Sequence, residues 1–586
     1  MKRVIFTTYD DIDRAENKES HKYDGDAIAT RDADIAKQKT IDEYFDRLVD
    51  NKQQYCDKIG VDFVLYRNTM KDFDIDCELE FAKVNIYKHH LMAELAKEYD
   101  EVMYVDMDVL FDTELNVFEE NDLSKGIHVK HQDNQIISKN KEELLFDIIG
   151  LRSPTLKYHI TKDLLGGQDN HVMNTGILIG KSEHIKQIKF IERTREVIKI
   201  IEKMKDGMLG NSQLAFSLIT MSYYPNNESI FSYILEKYKI PYVLLEEKWH
   251  VIYSDLPPKD DQEGYIFHFI NKQFGRFFKD KTKAIFSLHI DIPTDRLDSP
   301  QSHKDNPENK SAIAKRLMNE YRDRLLDNHR DYAKGIGADY KHFCRDEEYE
   351  AFYQRFPDLS EYDIVNLYKI WLLEKVSKEY DQVAYVDFDC VFHDHISVFD
   401  HVPCGHAICV FYETKKELKI NEDAVYFAHY KKDFRNPQAK YWNAHAMCTE
   451  QGLDTKKNRA YNTGVMIASK QVMEQLDYFG DIDDTIAMMK ELKNDEFSMY
   501  PSQVRASFGY DNETIFSYKT IQNNVLVYQL QTAWHSRNHY RGINTFDEGS
   551  AAWKIALAKM KHESLERHAV ITHFISKNFS LFFQNK

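Results

Sequence analysis

The chain has 586 residues, 42% of them hydrophobic and 13% aromatic with only 12 prolines, which leaves no room for a long disordered tract and is enough for more than one buried core. A formal net charge of −18 excludes a broad polyanion-binding surface, since docking on nucleic-acid phosphates needs Lys and Arg in excess over the docking face. No run approaches the roughly 18 apolar residues of a membrane span, and the start, Val4-Ile5-Phe6 before polar residues, gives no secretory apolar region.

In chain order, Val4 to Thr7 reads as a buried strand and Ile41 to Ile59 as a helix. Val61 to Tyr66 is the next strand, followed by a helix from Phe81 to Glu98. Val102 to Val105 then forms a strand that runs into Asp106-Met107-Asp108. Strands alternating with helices predict an α/β fold, a mainly parallel sheet with helices on both faces. Ligands of such sheets bind beyond the carboxyl ends of the strands, where this Asp pair falls.

The same series then occurs a second time. Tyr104-Val105-Asp106-Met107-Asp108 returns as Tyr385-Val386-Asp387-Phe388-Asp389, and Val84-Asn85-Ile86-Tyr87-Lys88 as Val365-Asn366-Leu367-Tyr368-Lys369. Asn174-Thr175-Gly176 matches Asn462-Thr463-Gly464, Asn227-Glu228 matches Asn512-Glu513, and Trp249-His250 matches Trp534-His535. His268-Phe269-Ile270-Asn271-Lys272 matches His573-Phe574-Ile575-Ser576-Lys577. A repeat of this length is a duplicated unit, with expected domains 1–282 and 283–586, each long enough for its own core.

Two carboxylates at i and i+2 of an extended chain point the same way and offer hard oxygen ligands to one Mg²⁺ or Mn²⁺, leaving positions open for phosphate oxygens. An imidazole from His268 or His573 can complete the set, and mixed N/O ligation leans toward Mn²⁺. The lysine four residues later brings a compact positive charge to a diphosphate. A Cys404, His406, Cys409 cluster has no counterpart in the first repeat and is not read as a zinc site. Seven cysteines, an odd number without CxxC spacing, suggest reduced thiols and a cytoplasmic protein, in the host cytoplasm if the chain is viral.

The order of apolar strand, Asp-x-Asp, Asn-x-Gly, Asn-Glu, Trp and late His resembles GT-A-fold glycosyltransferases, most closely the family 8-like group, over essentially both repeats. The resemblance implies two tandem GT-A domains. It also implies a nucleotide-sugar donor, UDP-linked by expectation, and Mn²⁺ or Mg²⁺ held by Asp106, Asp108 and His268 in one half and by Asp387, Asp389 and His573 in the other. Thr7 and Thr8, with Ser287 corresponding to Thr7, would meet the nucleotide. Lys88, Lys369, Lys272 and Lys577 would meet the diphosphate or sugar, and Asn174 and Asn462 the donor sugar, with Gly176 and Gly464 allowing close backbone approach. The late lysine comes without the family's Gly, Pro and Trp.

Glu228 and Glu513 are the general-base candidates should the reaction invert. The expected function is a bifunctional glycosyltransferase acting on a glycan or other hydroxyl acceptor. The alternatives are one catalytic half with a structural or acceptor-binding partner half, glycosylation of modified phage DNA, and a nucleotidyltransferase or a non-enzymatic carbohydrate-binding module. The second repeat is longer: His535 and His573 are 38 apart against 18 for His250 and His268. The extra residues include Ala551 to His568, an amphipathic segment expected to shape acceptor use.

Overall fold

The computed structural model describes residues 1–10, 27–70, 73–75, 80–131, 154–208, 226–253, 264–279, 281–293, 315–420, 436–496, 498–537, 569–575, 577 and 579–583. The segment Ala551 to His568 lies outside the described residues. The chain divides into two compact units, Met1–Lys272 and Gln273–Lys586.

In the first unit, β1 (Arg3–Tyr9) is buried from Val4 to Tyr9 because both of its faces are covered. Val4 and Phe6 join a core with Ile86, Leu91 and Tyr104, while Ile5 on the other face joins Tyr55, Met103 and Trp249. The strands that follow are β2 (Asp62–Arg67), β3 (Glu101–Val105), β4 (Val109–Phe111), β5 (Ile127–His131), β6 (Met173–Lys181), β7 (Tyr242–Leu244), β8 (Val251–Tyr253) and β9 (Ile266–Phe269). They form a six-stranded sheet of order β2-β1-β3-β6-β5-β7 and a three-stranded sheet β4-β9-β8. Helices Ala27–Ile59 and Glu80–Leu95 connect β1 to β2 and β2 to β3. The chain thus leaves β1 to one side and returns to the other, which opens a crevice at the carboxyl ends of β1 and β3.

The first helix begins well before the Ile41 expected from periodicity. The larger difference is strand direction. β1 pairs parallel with β2 and β3, and β5 parallel with β7, but β6 runs antiparallel to both β3 and β5. The reversal brings the start of β6, with Asn174 and Gly176, to the edge where its antiparallel neighbours β3 and β5 end. Residue pattern reports burial and not direction, so this placement was not legible in it.

The second unit repeats the plan. Its strands are β10 (Lys283–Leu288), β11 (Asp339–Phe343), β12 (Gln382–Asp387), β13 (Cys390–Phe392), β14 (Ile408–Glu413), β15 (Ala460–Ala468), β16 (Val527–Gln529), β17 (Ser536–Arg537) and β18 (Ile571–His573). Their orders, β11-β10-β12-β15-β14-β16 and β13-β18-β17, match the first unit strand for strand, with β15 again reversed. No helix among the described residues is long and apolar enough to cross a membrane.

Candidate metal centre and donor crevice

Asp106, Met107 and Asp108 do not continue the strand. The Val109 N–H donates to the Asp106 carbonyl at 3.1 Å, closing a turn between β3 and β4, and the two carboxylates converge through that turn and not through strand alternation. Met107 and Phe388, the middle residues of the two motifs, are buried. The turn is held from beneath by the fully buried Lys52, whose Nζ donates to the carbonyls of Met107 at 2.8 Å and Val109 at 2.7 Å. In the second unit the equivalent residue is His329, whose Nε2 meets the Cys390 carbonyl at 2.7 Å.

His268 reaches the pair because β9 lies antiparallel to β4, with His268 opposite Val109. Its Nε2 is 3.6 Å from Asp106 Oδ2 and 3.5 Å from Asp108 Oδ1. His573 Nε2 is 3.4 Å from Asp387 Oδ2 and 3.3 Å from Asp389 Oδ2. In each unit one donor atom from every residue of the triad lies within 4.8 Å of the others. Such a triangle can share a cation at about 2.1 Å from each atom, so the residues fit a divalent ion.

Positive charge surrounds each pair. Lys88 Nζ lies 3.2 Å from Asp106 Oδ1, and Lys272 forms an ion pair with Asp108. In the second unit Lys369 is 3.6 Å from Asp387 Oδ1, and Lys577 pairs with Asp389. Burial would raise the Asp108 carboxyl, but the Lys272 ammonium and His268 together hold it well below the usual carboxylate range, and Lys577 and His573 do the same for Asp389. Lys272 and Lys577 both sit at positive φ, 61° and 57°, where side chains cost of order 1 kcal/mol. Tyr104 and Tyr385 donate to Asp106 Oδ1 and Asp387 Oδ1, each at 2.5 Å.

Gly176 leaves room for the imidazole: a Cβ there would stand 2.2 Å from His268 Cε1, and one on Gly464 2.6 Å from His573 Cε1. The space that the expectation gave to a sugar is thus filled by the His268 or His573 ring. Asn174 and Asn462 are turned onto the main chain, their Oδ1 accepting from Gly176 N at 2.9 Å and Gly464 N at 3.1 Å. Glu228 lies one layer further out, accepting from Thr175 N at 3.2 Å and paired with Lys157. Glu513 accepts from Thr463 N at 2.9 Å and pairs with Lys440. Against the burial that would raise it, Lys440 and then Lys369 hold the Glu513 carboxyl low.

Thr7 and Ser287 are fully buried in their strands. Thr7 Oγ1 has no hydrogen-bond partner among the described residues, whereas Ser287 Oγ meets Tyr340 OH at 2.6 Å and His342 Nδ1 at 3.1 Å. Thr8 is within hydrogen-bonding reach of the Tyr104 hydroxyl. Sequence reasoning missed Lys157 and Lys440, although Lys157-Tyr158 and Lys440-Tyr441 repeat at the right offset. It also missed Lys52, and it left His250 and His535 without a role.

No protein-family model and no curated protein matches the sequence. Among solved structures, a glycosyltransferase involved in glycosylation of the major capsid of PBCV-1 is similar over 47% of this chain and 100% of that one, at 11% identity and a TM-score of 0.25. The bifunctional glycosyltransferase WbbM is similar over 87% of each chain, at 10% identity and a TM-score of 0.23. The galactosyltransferase LgtC, in complex with donor and acceptor sugar analogs, is similar over 46% of this chain and 87% of its own, at 12% identity and a TM-score of 0.21. At such TM-scores the likeness carries no argument about this chain, whose tandem Rossmann-like α/β units stand on their own strand order.

Proposed function

We propose that the chain is a bifunctional glycosyltransferase with one nucleotide-sugar site in each unit. The observation that carries this reading is the complete recurrence of one constellation: two carboxylates and an imidazole converging, with two lysines on the carboxylates. A divalent ion, Mn²⁺ by its donor set, would be held by Asp106, Asp108 and His268 or by Asp387, Asp389 and His573. Bound there, it would supply Lewis-acid neutralisation of the departing diphosphate.

The chain's own residues set up the rest. The bond from the sugar's anomeric carbon to the diphosphate breaks, an acceptor hydroxyl supplies the new oxygen, and the departing nucleoside diphosphate carries away the electron pair and takes up the hydroxyl's proton. Lys88 and Lys272, or Lys369 and Lys577, stand where they meet its developing charge. Glu513 suits the general-base role poorly, because a carboxylate held low by Lys440 and bonded through both oxygens is a weak base. Glu513 and Glu228 serve better as fixed anions that hold the Asn-x-Gly strand in place. The acceptor class stays that expected from the sequence, a glycan or other hydroxyl compound, and the net charge of −18 weighs against DNA.

A mass-spectrometric screen of UDP-, GDP- and dTDP-sugars with Mn²⁺, repeated with EDTA, tests this. Hydrolysis or transfer that needs the cation is the expected result. Full activity in EDTA, or no donor turned over by either unit, overturns it.

A further inference from the structure

The Asp-Asp-His triad and its two lysines recur one for one in the two units, but the adjoining crevice does not. The register that sets Thr7 beside Leu65 in the first unit sets Ser287 beside His342 in the second. Along the same edge Tyr9 is replaced by His289, Phe45 by Arg322, Phe63 by Tyr340, Lys52 by His329 and Met107 by Phe388.

These exchanges give the two crevices different chemistry. In the first unit, Tyr9 and Phe45 pack edge to face at 4.9 Å and Arg67 stacks on Phe45 at 4.6 Å. The Tyr9 hydroxyl is held by Asp42 and by Gln38 Nε2 at 2.8 Å, so its polar atom is engaged within the unit. In the second unit, His289 stacks flat on Phe388 at 4.7 Å, and His342 lies 5.2 Å from the same ring. His342 Nδ1 meets Ser287 Oγ, Ser287 Oγ meets the Tyr340 hydroxyl, and that hydroxyl meets His329 Nδ1, while the buried His342 Nε2 has no partner among the described residues. Arg322 is exposed. Its guanidinium acts electrostatically on both His289 and His342, and Lys577 of the cation site acts on His289. Because the ring that His289 and His342 both meet is Phe388, the middle residue of Asp387-Phe388-Asp389, the polar crevice adjoins the cation site.

We infer that the two units bind different nucleotides: the second is selective for a nucleoside diphosphate that presents acceptor oxygens to His342 and Arg322, and the first packs its nucleotide against the Tyr9, Phe45 and Leu65 edge, where Arg67 is already stacked on both rings. The inference rests on the nucleotide-sugar reading of both sites. It places the difference in specificity at the strand ends beside the cation, because a ligand in a crevice of this topology lies across the carboxyl ends of both strands. A site whose buried polar atoms are completed by one ligand rejects a ligand that cannot complete them.

The test is calorimetric titration of the full chain with UDP, GDP, dTDP, CDP and ADP in the presence of Mn²⁺. One unit at a time is silenced by Asp106→Asn with Asp108→Asn, or by Asp387→Asn with Asp389→Asn. The expected result is a different preferred nucleotide for each unit, with the second favouring ring-keto bases over ADP by about tenfold or more. In the second unit, His289→Tyr, Arg322→Phe and His342→Leu together install residues the first unit already holds at these places; they should erase that preference without altering the first unit's binding. The reciprocal Tyr9→His with Leu65→His should move the first unit's ranking toward that of the second, a readout that does not depend on the triple variant folding. The same preferred nucleotide in both units, or rankings indifferent to both sets of substitutions, overturns the inference alone. No nucleotide binding in either unit overturns the nucleotide-sugar reading with it.

Discussion

His250 Nε2 lies 3.1 Å from His268 Nδ1, so the nitrogen of His268 that faces away from the two aspartates is held by a second imidazole. His535 stands in the same relation to His573 at 3.2 Å. Both outer histidines are fully buried, and burial pushes each well below the ordinary imidazole range, so both are neutral. Such a partner fixes which nitrogen of the inner ring carries the proton and which way the ring points. His250→Phe should weaken Mn²⁺ binding in the first unit by about 10- to 100-fold, read by Mn²⁺ electron paramagnetic resonance. His250→Gln, which retains a polar atom, should recover part of it. Unchanged affinity in the Phe variant would make the contact merely structural.

Gly176 offers a steric test of the same ring. Its backbone is not at positive φ, so alanine imposes no backbone strain, but the new Cβ would press on His268 Cε1 and stand 3.0 Å from Asp106 Oδ2. Gly176→Ala should therefore cost Mn²⁺ binding in the first unit while circular dichroism stays native. Gly126→Ala should do the reverse. That glycine has φ 142°, and a Cβ there would stand 2.3 Å from the Pro241 carbonyl oxygen, away from the residues of the cation site, so its alanine variant should lower the melting temperature and spare cation binding.

The repeat, the two triads and the site lysines were legible because each is a local motif that occurs twice. The convergence of His268 on the Asp pair could be expected from the repeat of its motif at His573. The pairing of Glu228 with Lys157 could not, because it joins residues 71 apart through a helix and a reversed strand. The hold of Lys52 on the Asp-x-Asp turn was also hidden: a lysine in a helical stretch reads as solvated, and its burial follows only from packing against β4. Thr7 was legible as a strand residue, but its depth in the sheet depended on the neighbours that cover it.

Asp363 gives a pH signature confined to the second unit, since its counterpart in the first is Ala82. It sits in the first turn of helix Glu361–Ser377, where Ser360 Oγ donates to its carboxylate at 2.6 Å. Burial, offset in part by Ser360 and reinforced by Asp511, pushes its carboxyl up to about 6. With the folded value above the unfolded one, the folded state binds more protons between about pH 4 and 6, so this group's contribution to stability falls as pH rises through that window and is flat above it. Asp363→Asn should flatten the profile there in chemical denaturation monitored from pH 4 to 7. An identical slope in the variant would assign the dependence to other groups.

The two cation sites should also act separately. Asp106→Ala with Asp108→Ala removes both carboxylates of the proposed cation site in the first unit and leaves Lys88 and Lys272 without their ion-pair partners there. The variant should lose one transfer product and keep the other, and Asp387→Ala with Asp389→Ala should give the complementary pattern. Loss of every product in either variant is compatible with two working sites only if they act in sequence on one acceptor. Supplying the purified intermediate to the variant separates the cases: recovery of the second product means sequential sites, and no recovery means that one unit does not catalyse transfer.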